Sequence, residues 1–199
     1  MKPRTNSYAS WACGLFDRTR KRYIVRQTHR YSKASDTYAS GRLDYPVEIA
    51  GWLTETVALS AASTVLDLGA GTGKFTKVLA RTDARVIAVE PVDAMRDQLC
   101  QYVPEITALA GSAENIPLVD SSVDVVVCAQ SFHWFATQSA LTEIHRVLRP
   151  GGKFALIWNV RDERRQWVRA LSEIMQPYEA GTPRLYKGKW REPFESGLF

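Results

Sequence analysis

Three groups of residues in this chain have types and spacings that could do chemistry. The first is Asp67-Leu68-Gly69-Ala70-Gly71-Thr72-Gly73, an acid followed by three glycines at alternate positions. Glycine has no Cβ, so it takes positive φ and lets a ligand lie directly on the backbone, while a helix starting just beyond offers unpaired N–H groups. The second is Glu90, 21 residues past Gly69. That is the spacing at which a carboxylate ending the next strand accepts hydrogen bonds from both hydroxyls of a ribose. The third is Gln130-Ser131-Phe132-His133-Trp134-Phe135, where His133 supplies an imidazole, a group type that ordinarily titrates near neutrality and can take or hold a proton. Acid, glycine turn and distant acid together describe a site for a nucleotide-bearing cofactor.

Spacing discriminates between cofactors. A dinucleotide turn reads G-x-G-x-x-G and would need glycine at position 74, but Lys74 stands there and the third glycine comes one residue early. A pyrophosphate ligand is disfavoured accordingly, and a glycine-rich turn without a ligand is the plain alternative.

The elements that must hold these residues follow from the apolar pattern. Val65 to Leu68 reads as a buried strand, and KFTKVLAR from Lys74 has helical spacing. Arg85 to Glu90 reads as a second parallel strand, Ile106 to Ala110 as a third, and Ser122 to Ala129 as a fourth. The nearly unbroken apolar character of the fourth says both of its faces are covered. A helix, ALTEIHRVL, runs to Arg149-Pro150-Gly151-Gly152, after which Lys153 to Asn159 forms a fifth strand. Pro46 opens a helix ahead of the first strand, and another covers roughly 163–178. Strands alternating with helices make a parallel sheet, and ligands of such a sheet bind outside the carboxyl ends of its strands, where all three groups fall.

The length of 199 residues suits one folded body. Through Arg42 the chain carries ten Lys/Arg against two acids, a balance of +8, and the remainder carries −3. Basic character therefore belongs to the N-terminal arm. A nucleic-acid-binding domain would carry it on the folded body, interleaved with aromatics. Cys13, Cys100 and Cys128 are far apart with no C-x-x-C spacing, which fits a reducing, cytoplasmic compartment and no metal site. No run reaches the ~18 to 20 apolar residues of a membrane span. Residues 1–35 read as a basic extension, with a mitochondrial transit peptide as the alternative; 36–180 form the cofactor domain and 181–199 a loop-like tail.

D-x-G-x-G-x-G closing a first strand resembles the cofactor loop of class I S-adenosylmethionine (SAM) methyltransferases. QSFHWF resembles the Q-x-F-H-W-F signature of their trans-aconitate-methyltransferase-like (methyltransferase type 11) branch, and LRPGG resembles the turn before its fifth strand. The resemblance covers about residues 36 to 160. It implies a Rossmann-like α/β three-layer sandwich, with a mostly parallel sheet ordered 3-2-1-4-5, and transfer of a methyl group from SAM to a small acceptor, a carboxylate or a hydroxyl. It implies cofactor contacts from Gly69, Ala70, Gly71 and Gly73 of the loop, from Asp67 to the methionine amino group, and from Glu90 to the ribose. Val92 and Met95 would flank the adenine. Tyr38, Arg42 and Tyr45 would close over the methionine end, and Gln130 and His133 would stand at the end of strand four. Gly111-Ser112-Ala113-Glu114 matches a turn that usually reads G-D-A-E, so Ser112 offers a neutral hydroxyl where an acid normally accepts from adenine, with the Ala113 N–H as a substitute. His133 is the candidate general base; the alternative is a residue of the aromatic pocket wall.

The family sheet has seven strands, and no convincing sixth and seventh strand follows Asn159. The fifth strand is then an edge open to pairing with a second chain, and a shortened product, a fragment or a dimer would account for it. Two other readings are a chain that binds SAM without catalysis, and an NAD-dependent oxidoreductase that shares the fold class but lacks the third dinucleotide glycine.

Overall fold

The computed structural model describes residues 9–11, 44–46, 48–179 and 181–199. In chain order the elements are β1 (Ala9–Trp11), α1 (Ile49–Val57), β2 (Thr64–Leu68), α2 (Thr76–Leu79), β3 (Arg85–Val89), α3 (Asp93–Tyr102), β4 (Thr107–Leu109), β5 (Val123–Ala129), α4 (Gln138–Val147), β6 (Leu148–Ile157), β7 (Asn159–Arg161) and α5 (Gln166–Met175).

Alternate residues of the central strands feed two cores. Val65, Val86, Val125 and Val127 pack with Leu53 of α1 and with Phe75 and Leu79 on one side. Leu66, Leu68, Ile87, Val89, Val126 and Cys128 pack with Leu141 and Ile144 of α4 on the other. This period of two, with both faces apolar, is what a sheet covered by helices on each side requires. The five strands run parallel in the spatial order β4-β3-β2-β5-β6, which is 3-2-1-4-5 counted within the sheet. Asp67 is paired with Ala88 on one flank and with Val127 on the other, so β2, β3 and β5 end together at one rim of the sheet. No sixth or seventh sheet strand is present among the described residues; β7 pairs antiparallel with β1 in a separate ribbon, Ala9 opposite Arg161.

The structure departs from the sequence expectations in four places. The helical run expected from Lys74 shrinks to the single turn of α2, ended by the Thr82 hydroxyl donating to the Leu79 carbonyl at 2.6 Å. β6 begins at Leu148, so LRPGG lies inside the strand: Gly151 turns at φ +77° and a bulge opposite Val123 and Val125 absorbs it. The N-terminal extension contributes β1, which composition does not announce. Finally, the tail is a pair of 3₁₀ segments, Leu185–Lys187 and Lys189–Ser196. Its aromatics give it structure: Trp190 sits 4.4 Å from Trp158, and Phe194 stacks on Phe154 of β6 at 6.2 Å. Among the described residues β6 hydrogen-bonds as a strand to β5 alone, yet its Phe154 ring lies beneath Phe194 and Phe199.

Cys128 is fully buried, and desolvation pushes its thiol well above the usual range. It is a small apolar residue of the core and not a nucleophile.

Candidate functional site

At the rim where β2, β3 and β5 end lies a cavity of about 1090 Å³. Gly69, Ala70 and Gly71 enter its wall from the turn after β2, and Glu90, Val92 and Met95 from the turn after β3. Ser112, Ala113 and Glu114 come from the loop after β4, and Gln130 and His133 from the end of β5. Tyr45 joins them from the segment before α1, its ring set edge-on to Phe75 at 4.8 Å. Tyr38 and Arg42 lie outside the described residues. Two expected cofactor residues, Asp67 and Gly73, are not on the wall. Asp67 is inside the end of β2 at 1 % exposure, and Gly73 is packed against Leu99 of α3.

The three loop glycines divide between two jobs. All have positive φ, at +72°, +59° and +83° for Gly69, Gly71 and Gly73, a region that L side chains avoid. A Cβ on Gly69 would meet Ser131 Cβ at 2.8 Å and Phe135 Cε1 at 2.9 Å, and one on Gly73 would press Leu99 Cγ at 3.0 Å. These two let the turn pack against protein. A Cβ on Gly71 would meet nothing within 4 Å, so this is where bare backbone faces the cavity.

Glu90 closes the loop from below. Its Oε2 accepts the Gly71 N–H at 2.8 Å and its Oε1 accepts the Val92 N–H at 2.9 Å, and each oxygen keeps acceptor capacity for a further donor. Burial raises its pKa, against the two backbone N–H groups and the Arg96 charge, which favour ionisation. Asp67 accepts from the Thr76 hydroxyl through Oδ2 at 2.6 Å, while its buried Oδ1 has no hydrogen-bond partner. Desolvation pushes the Asp67 carboxyl up to about 7; the Glu90 charge adds to this and the Thr76 bond opposes it.

The end of β5 is anchored on both flanks. Ser131 Oγ donates to the Leu68 carbonyl at 2.8 Å, tying β5 to the start of the glycine turn. Gln130 has φ +56°, its N–H donates to the Ile157 carbonyl, and its Nε2 donates to the Asn159 carbonyl at 3.1 Å. A non-glycine residue in this region carries strain of roughly 1–3 kcal/mol, held by the surrounding bonds. In the loop after β4, Ser112 bridges to Asn115, and a Cβ on Gly111 would strike Pro117 Cδ at 2.5 Å, so the Ser112 turn is rigidly closed. His133 is 8 % exposed, and its Nδ1 accepts the Trp158 indole N–H at 3.1 Å.

The far side of the cavity is built from residues that the sequence reading did not single out: Trp158, Trp190, Glu179, Arg184 and Tyr186. Glu179 is buried, accepts from the Tyr186 hydroxyl, and lies 3.3 Å from Arg184 Nε. Trp158 carries a readable signal, since it directly follows a strand at the rim. The tail residues carry none, because their placement depends on contacts distant in sequence. Among the described residues no three His, Cys, Asp or Glu side chains group as a metal site, and no helix is long and apolar enough to cross a membrane.

A doubly wound α/β domain with a glycine turn, a ribose-spaced acid and a rim cavity defines a nucleotide-cofactor protein. Residues 66–156 match the family described as methyltransferase domain. The chain is 44% identical over 158 residues to an uncharacterized methyltransferase-like protein of Schizosaccharomyces pombe, covering 79% of this chain and 62% of that protein. It is 48% identical over 145 residues to an uncharacterized methyltransferase of Mycobacterium bovis, covering 73% and 58%. A solved structure of a candidate S-adenosyl-L-methionine-dependent methyltransferase from Methanococcus maripaludis superposes with a TM-score of 0.58 over 81% of this chain and 76% of that one. At 24% identity, that likeness is one of fold. Over residues 66–156 the chain is similar to the methyltransferase domain family, and over a longer stretch to proteins named as methyltransferases, a similarity that points to SAM as the cofactor. It spans about three-fifths of the length of these curated relatives.

The residues present fit that cofactor. Gly71 offers backbone that a ligand can touch, Glu90 offers two acceptor oxygens for a pair of hydroxyls, and Val92 and Met95 offer apolar surface for a base. The unpartnered Asp67 Oδ1 lies behind the loop, and its carboxyl, once ionised, would suit a cationic ammonium group.

Proposed function

We propose that this chain binds SAM in the rim cavity and transfers its methyl group to a small-molecule acceptor. The observation that carries this reading is the bond between the Gly71 N–H and Glu90 Oε2 beneath the one loop position where an added Cβ would find open space. It joins the two halves of a ribose site, and Lys74 stands where a dinucleotide turn needs glycine.

When bound, the cofactor supplies an electrophilic methyl group on a positively charged sulfur. The chain's own residues bind and orient. Glu90 would hold the ribose hydroxyls, Val92 and Met95 the adenine faces, and Ser112 with the Ala113 N–H the adenine edge. Asp67, which is not on the wall, would act from behind the loop as a counter-charge for the methionine ammonium. Gln130 fixes the end of β5, and Tyr45 stands at the opening. The acceptor would occupy the side walled by Trp134, Phe135, Trp158 and Tyr186, where aromatic faces exclude water and align a small, flat or partly apolar molecule. Because the leaving sulfur is already cationic, alignment supplies much of the rate and a dedicated base is optional.

Calorimetric titration with SAM and with NADH tests the cofactor, and transfer of a radiolabelled methyl group to a panel of small carboxylates and alcohols tests the reaction. Heat with SAM and not with NADH is expected; the reverse would sink the reading in favour of an oxidoreductase. SAM binding with no transfer to any acceptor would favour a non-catalytic cofactor-binding chain.

A further inference from the structure

We infer that Trp158 is a positioning residue that holds His133 with its ring proton on Nε2, so that the imidazole does not serve as a base. The indole N–H can only donate. It lies 3.1 Å from His133 Nδ1, so Nδ1 must present its lone pair, and in a neutral imidazole the single proton then resides on Nε2. The bond is out of water: Trp158 is 1 % exposed and His133 is 8 %. Trp190 backs the arrangement with its ring 4.4 Å from that of Trp158, and is itself pinned by donating through Nε1 to the Leu185 carbonyl at 2.7 Å.

Taking a proton from an acceptor would require the lone pair that Trp158 occupies, or a tautomer that leaves two N–H donors facing each other. Given the proposed methyl transfer, His133 in this tautomer does not take the acceptor's proton.

The test is the imidazole nitrogen spectrum of the full chain labelled with ¹⁵N-histidine. The sequence has three histidines, and H133Q assigns the relevant pair of signals by removing it. The expected wild-type result is an unprotonated Nδ1 and a protonated Nε2, with W158F moving the ring toward a mixture of both tautomers. A protonated Nδ1, a wild-type ring that averages between tautomers, or a W158F spectrum identical to wild type would overturn the inference. If W158F does not fold, the wild-type spectrum still decides. The measurement needs neither cofactor nor acceptor, so loss of SAM binding would sink the proposed function and leave this result standing.

Discussion

The Gly71 amide donates to Glu90 Oε2 at 2.8 Å, joining the tip of the glycine turn to the acid that ends the neighbouring strand. One atom of that bond belongs to a backbone that must stay bare, the other to a carboxylate buried to 5 % exposure. The pair is both a structural latch and part of the wall of the rim cavity.

Replacing Gly71 and Gly69 by alanine separates these functions. G71A has room for its methyl group but a φ of +59°, so it should lose about 1 kcal/mol of stability to backbone strain and lower SAM affinity by tenfold or more. G69A adds clashes at 2.8 and 2.9 Å to the same strain and should lose about 2–4 kcal/mol. Urea denaturation beside calorimetry on both variants checks this; equal stability losses would mean that Gly69 does not pack as described, and unchanged SAM affinity in G71A would mean that the open space at Gly71 is not a ligand face.

E90Q keeps the shape but removes the charge from an acceptor of two backbone N–H groups. Hydrogen bonds to a charged group contribute about 1.5–3 kcal/mol, so SAM should bind roughly 10- to 100-fold more weakly. The folded apo chain should also lose about 1–3 kcal/mol, because a Gln amide accepts from only one of the two N–H groups and turns its NH2 toward the other. Unchanged affinity would take Glu90 out of the cofactor site.

Stability of the apo chain should fall as pH rises from about 4 to 7. Asp67 has an ordinary pKa of 3.8 and a folded value of about 7, so across that window the folded chain keeps a proton that the unfolded chain has lost, and ionisation opposes folding. Glu90, also raised, works in the same direction. Asp124 and Glu143 are held low, foremost by the Thr64 N–H and by Arg146 respectively, and their stabilisation is lost as pH falls through their folded values, giving a separate acid limb. D67N should flatten the slope between pH 4 and 7 in denaturation curves. A cationic ligand favours ionised Asp67, so wild-type SAM affinity should rise with pH through about 7, and D67N should abolish that rise.

W190A should cost about 3–5 kcal/mol, the usual loss for a large aromatic removed from a packed site, because Trp190 is 2 % exposed against Trp158. Thermal or urea unfolding checks it. A loss below 1 kcal/mol would mean that the tail does not pack as described.

Much of this architecture is legible in residue order because its causes are local. Val65 to Leu68 and Val123 to Ala129 are apolar runs too short for helices and flanked by turn residues, and alternating units of this kind have few ways to wind. The glycine turn and Glu90 announce themselves by spacing, since a backbone turn with positive φ and an acid closing the next strand are each restricted in residue type. Asp67 was legible as a motif acid, but its position behind the wall was not, because burial is a property of the assembled rim.

Local chemistry along the chain was therefore enough for the parallel α/β class, the glycine turn and the acid that ends the second strand, while the sheet order was implied by the family resemblance. What depended on packing was the division of labour among the three glycines, the partner that holds the proton on His133, and the far wall of the cavity. Gly69 and Gly71 look alike in sequence and differ only in whether Ser131 or open space stands opposite. Trp158 meets His133 across 25 residues, and Trp190 reaches Trp158 from the tail. Such contacts arise when aromatic side chains from distant segments leave water together, and no local pattern records which of them will meet.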